Sequence, residues 1–277
     1  DFSIVHKQDW YIRETYKPEL HKEDMSFLSR SFERHFNERP YLKHTCYLYL
    51  TKTTKERSRM QSNFSTLCRG HIIPKEINKD TATKFLEATE QFERIMNDSG
   101  FVKLRRLTTD EIVGTEEKAG VIERYFSLMP EDSACLQDIC LSPEEMRIGN
   151  NRLCLHTLSD VGDLPGKVST DVRYEKLSTD RSDCRLSFAS PVGLLLPCNH
   201  IYNQYVLIDN SEENLQKFEK SARNMQSLSK YSRSNSINKE WIDQYLNEAH
   251  SYGLTSVRAH FNIMAWSEDP AELKQLK

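Results

Sequence analysis

The sequence predicts an α+β fold, with mainly antiparallel or mixed sheets and helices packed on one face. Three observations predict it. Strand-like and helix-like stretches interleave in the order β-α-β-α-β-α, a hairpin, then β-α-α-β. The strand stretches alternate apolar and polar residues instead of running wholly apolar, which suits sheets with one covered face better than a doubly wound parallel sheet. Nine glycines and nine prolines in 277 residues are few, which argues against a loop-rich architecture.

The elements follow in order. Residues 2–12 are β-branched and aromatic and read as a strand. After Pro18, Met25, Leu28, Phe32 and Phe36 form a helical stripe that Pro40 stops. Tyr41 to Thr51 alternates: Leu42, His44, Cys46, Leu48 and Leu50 on one side, Lys43, Thr45, Tyr47, Tyr49 and Thr51 on the other. Residues 52–70 keep no period and read as an excursion. A helix is expected from Asp80 to Asn97, with Phe85, Ala88, Phe92 and Ile95 inward and Gly100 as its stop. A short strand over 101–107 and a helix from Thr109-Asp110 to Phe126 come next.

Residues 131–145 hold five acids and no Lys or Arg, with Pro130 and Pro143 nearby, and read as a connector. Glu145–Ile148, Gly149-Asn150-Asn151 and Arg152–Leu158 carry a hairpin signal, since Gly and Asn tolerate positive φ. A turn-rich stretch over 159–184 and a strand over 201–208 follow. Asn210 with Glu213 caps a helix through Leu215, Phe218, Ala222 and Met225. The serine-rich 227–236 stretch breaks it. A second helix over 238–252 uses Trp241, Tyr245 and Ala249, and Gly253 ends it. From Ser256 to Trp266, alternation puts Val257, Ala259, Phe261, Ile263 and Ala265 inward, and Arg258, His260, Asn262, Met264 and Trp266 outward. Asp269-Pro270 opens a further helix over 270–277. The expected organisation is an α+β subdomain over 1–130, the acidic connector 131–145, and a second α+β subdomain over 146–277. A chain that opens inside a strand and closes inside a helix reads as a piece of a longer polypeptide.

The 38 basic and 41 acidic residues give a net charge of −3, which excludes a globally basic nucleic-acid binder. The apolar run Val192 to Pro197 is far too short to span a bilayer, and no transmembrane segment is expected. Seven cysteines, odd in number and without a C-x-x-C pair, suit reduced thiols in the cytoplasm.

Several constellations invite chemistry. Gly162-Asp163-Leu164-Pro165-Gly166-Lys167-Val168-Ser169 approaches a phosphate loop. It has three residues between its glycines where four are needed, Pro165 lacks an N–H, and Val168 stands where a hydroxyl must hold Mg²⁺. It reads as an ordinary turn. Cys135-x4-Cys140 has a borderline spacing for a structural zinc site, and Cys154-x-His156 places both side chains on one strand face; small buried thiols are the better reading and no metal is expected. His6 and Asp9 lie in a strand at i and i+3, on opposite faces, and cannot act together. Cys154, His156 and Asp160 are a weak hydrolase candidate that needs a pocket. No catalytic or cofactor-binding residue is assigned.

Two stretches are locally basic. Residues 52–69 sum to +4, and 217–239 sum to +5 from Lys217, Lys220, Arg223, Lys230, Arg233 and Lys239 against Glu219, with Tyr231 among them. The default reading of such a run is a solvated helix face; the alternative makes Lys217, Lys220, Arg223, Lys230 and Arg233 a candidate interaction surface, for a protein partner or for nucleic-acid phosphates.

The run His6-Lys7-Gln8-Asp9-Trp10-Tyr11, the strand Tyr41-Leu42-Lys43-His44-Thr45-Cys46-Tyr47-Leu48-Tyr49-Leu50-Thr51, the segment from Leu186 to Pro197 and the run His200-Ile201-Tyr202-Asn203-Gln204-Tyr205 resemble the N-terminal region of TraG-family conjugation ATPases of Bacteroides-type conjugative transposons. The likeness extends over nearly the whole chain. It implies the region that precedes a RecA-like motor in a cytoplasmic type IV secretion ATPase associated with the inner membrane. ATP and Mg²⁺ would then belong to the motor and not to this stretch. The implied partners are other conjugation and secretion-channel proteins and further copies of the chain, with direct contact to DNA less expected.

Overall fold

A computed structural model describes residues 2–16, 26–36, 39–52, 79–128, 137–160, 172–175, 178–183, 185–186, 193, 195–208, 210–254 and 257–276. The fold is α+β. Its strands are β1 (Ile4–Thr15), β2 (Pro40–Thr51), β3 (Ile139–Leu141), β4 (Met146–Ile148), β5 (Asn151–Thr157), β6 (Val172–Arg173), β7 (Arg185–Leu186), β8 (Asn199–Ile208) and β9 (Val257–Ser267). Its helices are α1 (Phe27–Phe36), α2 (Lys79–Asp98), α3 (Thr109–Val113), α4 (Val121–Ser127), α5 (Ser211–Leu228), α6 (Arg233–Tyr252) and α7 (Pro270–Lys274). Seven strands form one antiparallel sheet in the order β2-β1-β8-β9-β5-β4-β3, and β6 pairs with β7 apart from it.

The chain divides into two compact units that are interleaved in sequence. The first comprises Asp1–His6, Leu48–Val102 and Tyr205–His260, and the second Lys7–Tyr47, Lys103–Gln204 and Phe261–Lys277. The grouping thus follows the long strands, whereas charge and composition suggested consecutive pieces meeting at 131–145. Each of β1, β2, β8 and β9 contributes residues to both units.

In the first unit, Phe85 and Phe92 of α2 meet Phe2 edge-on, with ring centroids 6.0 and 5.5 Å away. His6 stands between Tyr49 of β2 and Tyr205 of β8, stacked at 5.1 and 4.1 Å. The Asn210 side chain accepts from the N–H groups of Glu212 and Glu213 and starts α5. Helices α5 and α6 pack as a hairpin through Ala222, Leu246 and Ala249, with Phe218 against Tyr245 at 5.2 Å. Gly253 ends α6 in the left-handed region that its missing Cβ permits.

In the second unit, β9 is buried on both of its faces. Met264 and Trp266 join Trp10, Leu128, Ile148 and Ile201 in one core, while Ile263 and Ala265 join Cys198, Tyr202 and Leu273 in another. Helix α4 serves the first core: Tyr125 lies edge-on to Trp10, and the Arg124 guanidinium sits 5.0 Å above the Trp10 ring. Leu273 of α7 serves the second. The β4–β5 hairpin turns at Gly149-Asn150, pairing Ile148 with Asn151 and Met146 with Leu153.

Several expectations need correction. The helical and strand patterns place Ile95 of α2 and Val257 and Ala259 of β9 inward, yet all three are exposed. The alternation in β9 placed Met264 and Trp266 outward, yet both are buried, because a central strand is covered on both sides. Residues 101–107 form no strand, and Phe101 is fully out in solvent. The single helix expected from 109 to 126 is two: Gly114 adopts a φ of 103° and closes α3, Gly114 bridges to Ala119, and α4 starts after Gly120. The first helix is capped by Thr108, whose side chain accepts from Glu111 N–H while Glu111 accepts from Thr108 N–H. The 131–145 connector also supplies a strand, β3, paired with β4.

Candidate functional site

Residues Lys217, Lys220 and Arg223 lie on α5, one turn apart in succession, on the side of the helix turned away from buried Ala222. All three are exposed, as are Lys230 in the turn and Arg233 at the start of α6. The structure therefore displays the five predicted cations on one helical hairpin. It also shows what local counting missed. Over residues 211–252 six Lys and Arg face six Asp and Glu, so the hairpin has no net charge. Arg223 lies 3.7 Å from Glu219, which also lies 3.8 Å from His250, and Lys239 pairs with Asp243 at 2.5 Å. Lys220 and Arg223 line an open hollow with Gln216, Glu219 and Asn224, all from α5, so a single helix forms it and nothing encloses a ligand.

The same hairpin exposes large aromatic side chains. Tyr231, Trp241 and Tyr252 are 85%, 67% and 78% accessible. Trp241 was expected to help seat α6. It faces solvent instead, and Leu246 and Ala249 do the seating.

The densest cluster of ionisable groups surrounds Asp9, on the opposite face of β1 from His6. Asp9 is 1% exposed. Its Oδ2 accepts from Lys7 Nζ at 2.5 Å and from Gln204 Nε2 at 3.2 Å, and its Oδ1 lies 2.9 Å from His44 Nε2. Burial alone would raise the Asp9 carboxyl. Hydrogen bonds from Lys7 and His44, the Lys7 charge and the Cys46 thiol outweigh it and hold the group below its ordinary value of 3.8. Tyr11 is stacked flat between His44 and His200, each at 4.6 Å. Its hydroxyl is pushed up to about 12 by burial and by the charge on Asp9.

A buried carboxylate orienting a half-exposed imidazole is half of an acid–base device. Among the described residues of this cluster the candidate nucleophile is Cys46. The Cys46 thiol is pushed up to about 11, by burial of its sulfur and then by Asp9, so it stays protonated at neutral pH and is a poor nucleophile. What the cluster does is tie β1 to β2 and β8 through side chains. His200 does similar work. Both of its ring nitrogens face carbonyl oxygens, Cys198 at 2.8 Å and Gly193 at 2.9 Å, and burial holds it below its ordinary value.

The remaining candidates are placed as follows. The two neighbours Cys154 and His156 share a face of β5, with Sγ 3.3 Å from Nε2. Among the described residues no group of three or more His, Cys, Asp or Glu could hold a metal ion. The described cysteines Cys46, Cys140, Cys154 and Cys198 are free thiols. The Gly162–Ser169 turn, Cys135 and the 53–70 basic stretch lie outside the described residues. Among the described residues no helix is long and apolar enough to cross a membrane. No protein-family model matches the chain, and no curated protein matches it.

Proposed function

We propose that this chain is a non-catalytic interaction and assembly domain of a conjugative-transfer ATPase, which places the motor at a type IV secretion channel on the cytoplasmic face of the inner membrane. The α5–α6 hairpin carries this reading. It presents Tyr231, Trp241 and Tyr252 to solvent on a surface of zero net charge, the combination that anchors protein partners. The likeness of the runs at 6–11, 41–51, 186–197 and 200–205 to TraG-family ATPases supplies the setting. The partners are secretion-channel proteins and further copies of the chain, and ATP and Mg²⁺ belong to the motor.

The test is binding of the chain to purified channel proteins of the transfer apparatus, with Trp241→Ala and Tyr231→Ala compared to the unaltered chain. Both side chains are exposed, so the fold should survive. Binding weakened at least tenfold by Trp241→Ala supports the reading. Binding that ignores both changes, or none to any channel component, rejects it.

A second reading has one observation in its favour: Tyr231, 85% exposed, lies in the turn with exposed Lys230, just before exposed Arg233, and an exposed ring beside cations is the arrangement that stacks on bases. A nucleic-acid-handling module would then bind DNA with strong salt dependence and lose that binding when Lys217, Lys220 and Arg223 become Glu. The acids interspersed on α5 and α6 weigh against it.

A further inference from the structure

We propose that helix α1 docks the protein onto an anionic phospholipid surface. The inference deepens the reading above, and rests on its placement of the chain beside a membrane, by naming the partner of a second exposed surface. The stripe that the sequence marks on α1 is not covered by the described residues. Phe27, Leu28 and Phe32 are 81%, 76% and 55% exposed, and Glu33 alone among the residues of α1 is buried. The sole acid of the helix is therefore turned inward, where its Oε1 accepts from Tyr16 Oη at 2.8 Å. What faces outward carries no acid: the aromatic and leucine side chains, exposed Arg30 and Arg34, the neutral Ser29 and Ser31 with His35, and exposed Arg39 three residues beyond the helix.

That combination selects the partner. An amphipathic helix with phenylalanine and leucine on one flank and arginine on another lies in the interface of a bilayer, its apolar groups among the acyl chains and its cations at anionic headgroups. A second copy of the chain fits less well. An aromatic side chain buries roughly 150–250 Å², so three apolar side chains fall short of the roughly 800 Å² per partner that a stable dimer needs.

Co-sedimentation of the whole chain with vesicles tests the proposal. One set is phosphatidylcholine alone, and the other is phosphatidylcholine mixed equally with phosphatidylglycerol. The chain should partition to the mixed vesicles at least about tenfold more strongly. Phe27→Ser with Phe32→Ser, and separately Arg30→Glu with Arg34→Glu, should each remove most of that binding while far-UV circular dichroism stays unchanged. The arginine pair leaves the apolar face intact and serves if the phenylalanine pair disturbs folding. Failure to bind either vesicle overturns the proposal, as does equal binding to both. A dimer abolished by Phe32→Ser without vesicle binding assigns the face to a second copy and also overturns it. None of these outcomes depends on Trp241, whose effect on channel-protein binding tests the assembly role separately.

Discussion

His44 Nε2 lies 2.9 Å from Asp9 Oδ1, and the two residues stand 35 positions apart on neighbouring strands. Asp9 is sealed from solvent while the His44 side chain remains half-exposed. The contact therefore joins a buried carboxylate to a ring that water still reaches. With Lys7 and Gln204 it makes one carboxylate the meeting point of β1, β2 and β8.

Removing that anion should destabilise the second unit. Asp9→Asn keeps the shape but cannot accept charge-assisted hydrogen bonds from both Lys7 and His44. A loss of about 1–3 kcal/mol is expected in urea unfolding. Lys7 and His44 are partly exposed and can be rehydrated, which keeps the loss below that of a wholly buried pair.

The same substitution should change the acid limb of stability. Asp9 is held below 3.8 in the folded state, so its contribution is fully present above 3.8 and is lost as pH falls through the lower folded value. Urea midpoints measured from neutral pH downward should show an acid-side decline that is shallower in Asp9→Asn. Identical slopes in the two proteins would remove Asp9 from the explanation.

Trp10 is the largest side chain among the fully buried residues, with Arg124 above its ring. Trp10→Ala should cost about 3–5 kcal/mol through the cavity it leaves. Arg124→Ala should cost less, with roughly 0.5–2 kcal/mol from the lost cation–π contact. In the double variant the two losses should fall short of their sum, because Arg124 has no ring left to cover.

Gly193 has little room for a side chain. A Cβ there would come within 3.1 Å of Tyr11 Cε2, 3.2 Å of Tyr11 Oη and 3.3 Å of Tyr202 Cδ1. Gly193→Ala should therefore destabilise by about 1–3 kcal/mol. Tyr11→Phe, which deletes the hydroxyl, should recover part of that loss. No recovery would mean that the ring carbon alone sets the fit.

The fold class was legible because its signals are local. Alternation marked β2 and β9, β-branched and aromatic residues marked β1, and Asn210 marked the start of α5. The rule that i and i+3 oppose each other in a strand separated His6 from Asp9, and the structure sends them to Tyr49 and Tyr205 on one face and to Lys7 and His44 on the other. The Asp9–His44 tie was not legible. Alternation set His44 beside Cys46, but nothing local states that β2 lies next to β1, or in which register. Met264 and Trp266 were misplaced because alternation describes a half-covered strand, although their own bulk pointed to burial. Gly114 and Gly120 stood inside the predicted 109–126 helix as available breaks. The charge of the candidate surface was misjudged because a window over 217–239 leaves out the acids at 212, 213, 240, 243 and 248 that share the hairpin.

Assembly without nucleotide chemistry is the central claim, and calorimetric titration of the chain with ATP in the presence and absence of Mg²⁺ tests it most directly. The expected result is no heat beyond dilution under either condition and no release of phosphate. Saturable, Mg²⁺-dependent binding of ATP would contradict it.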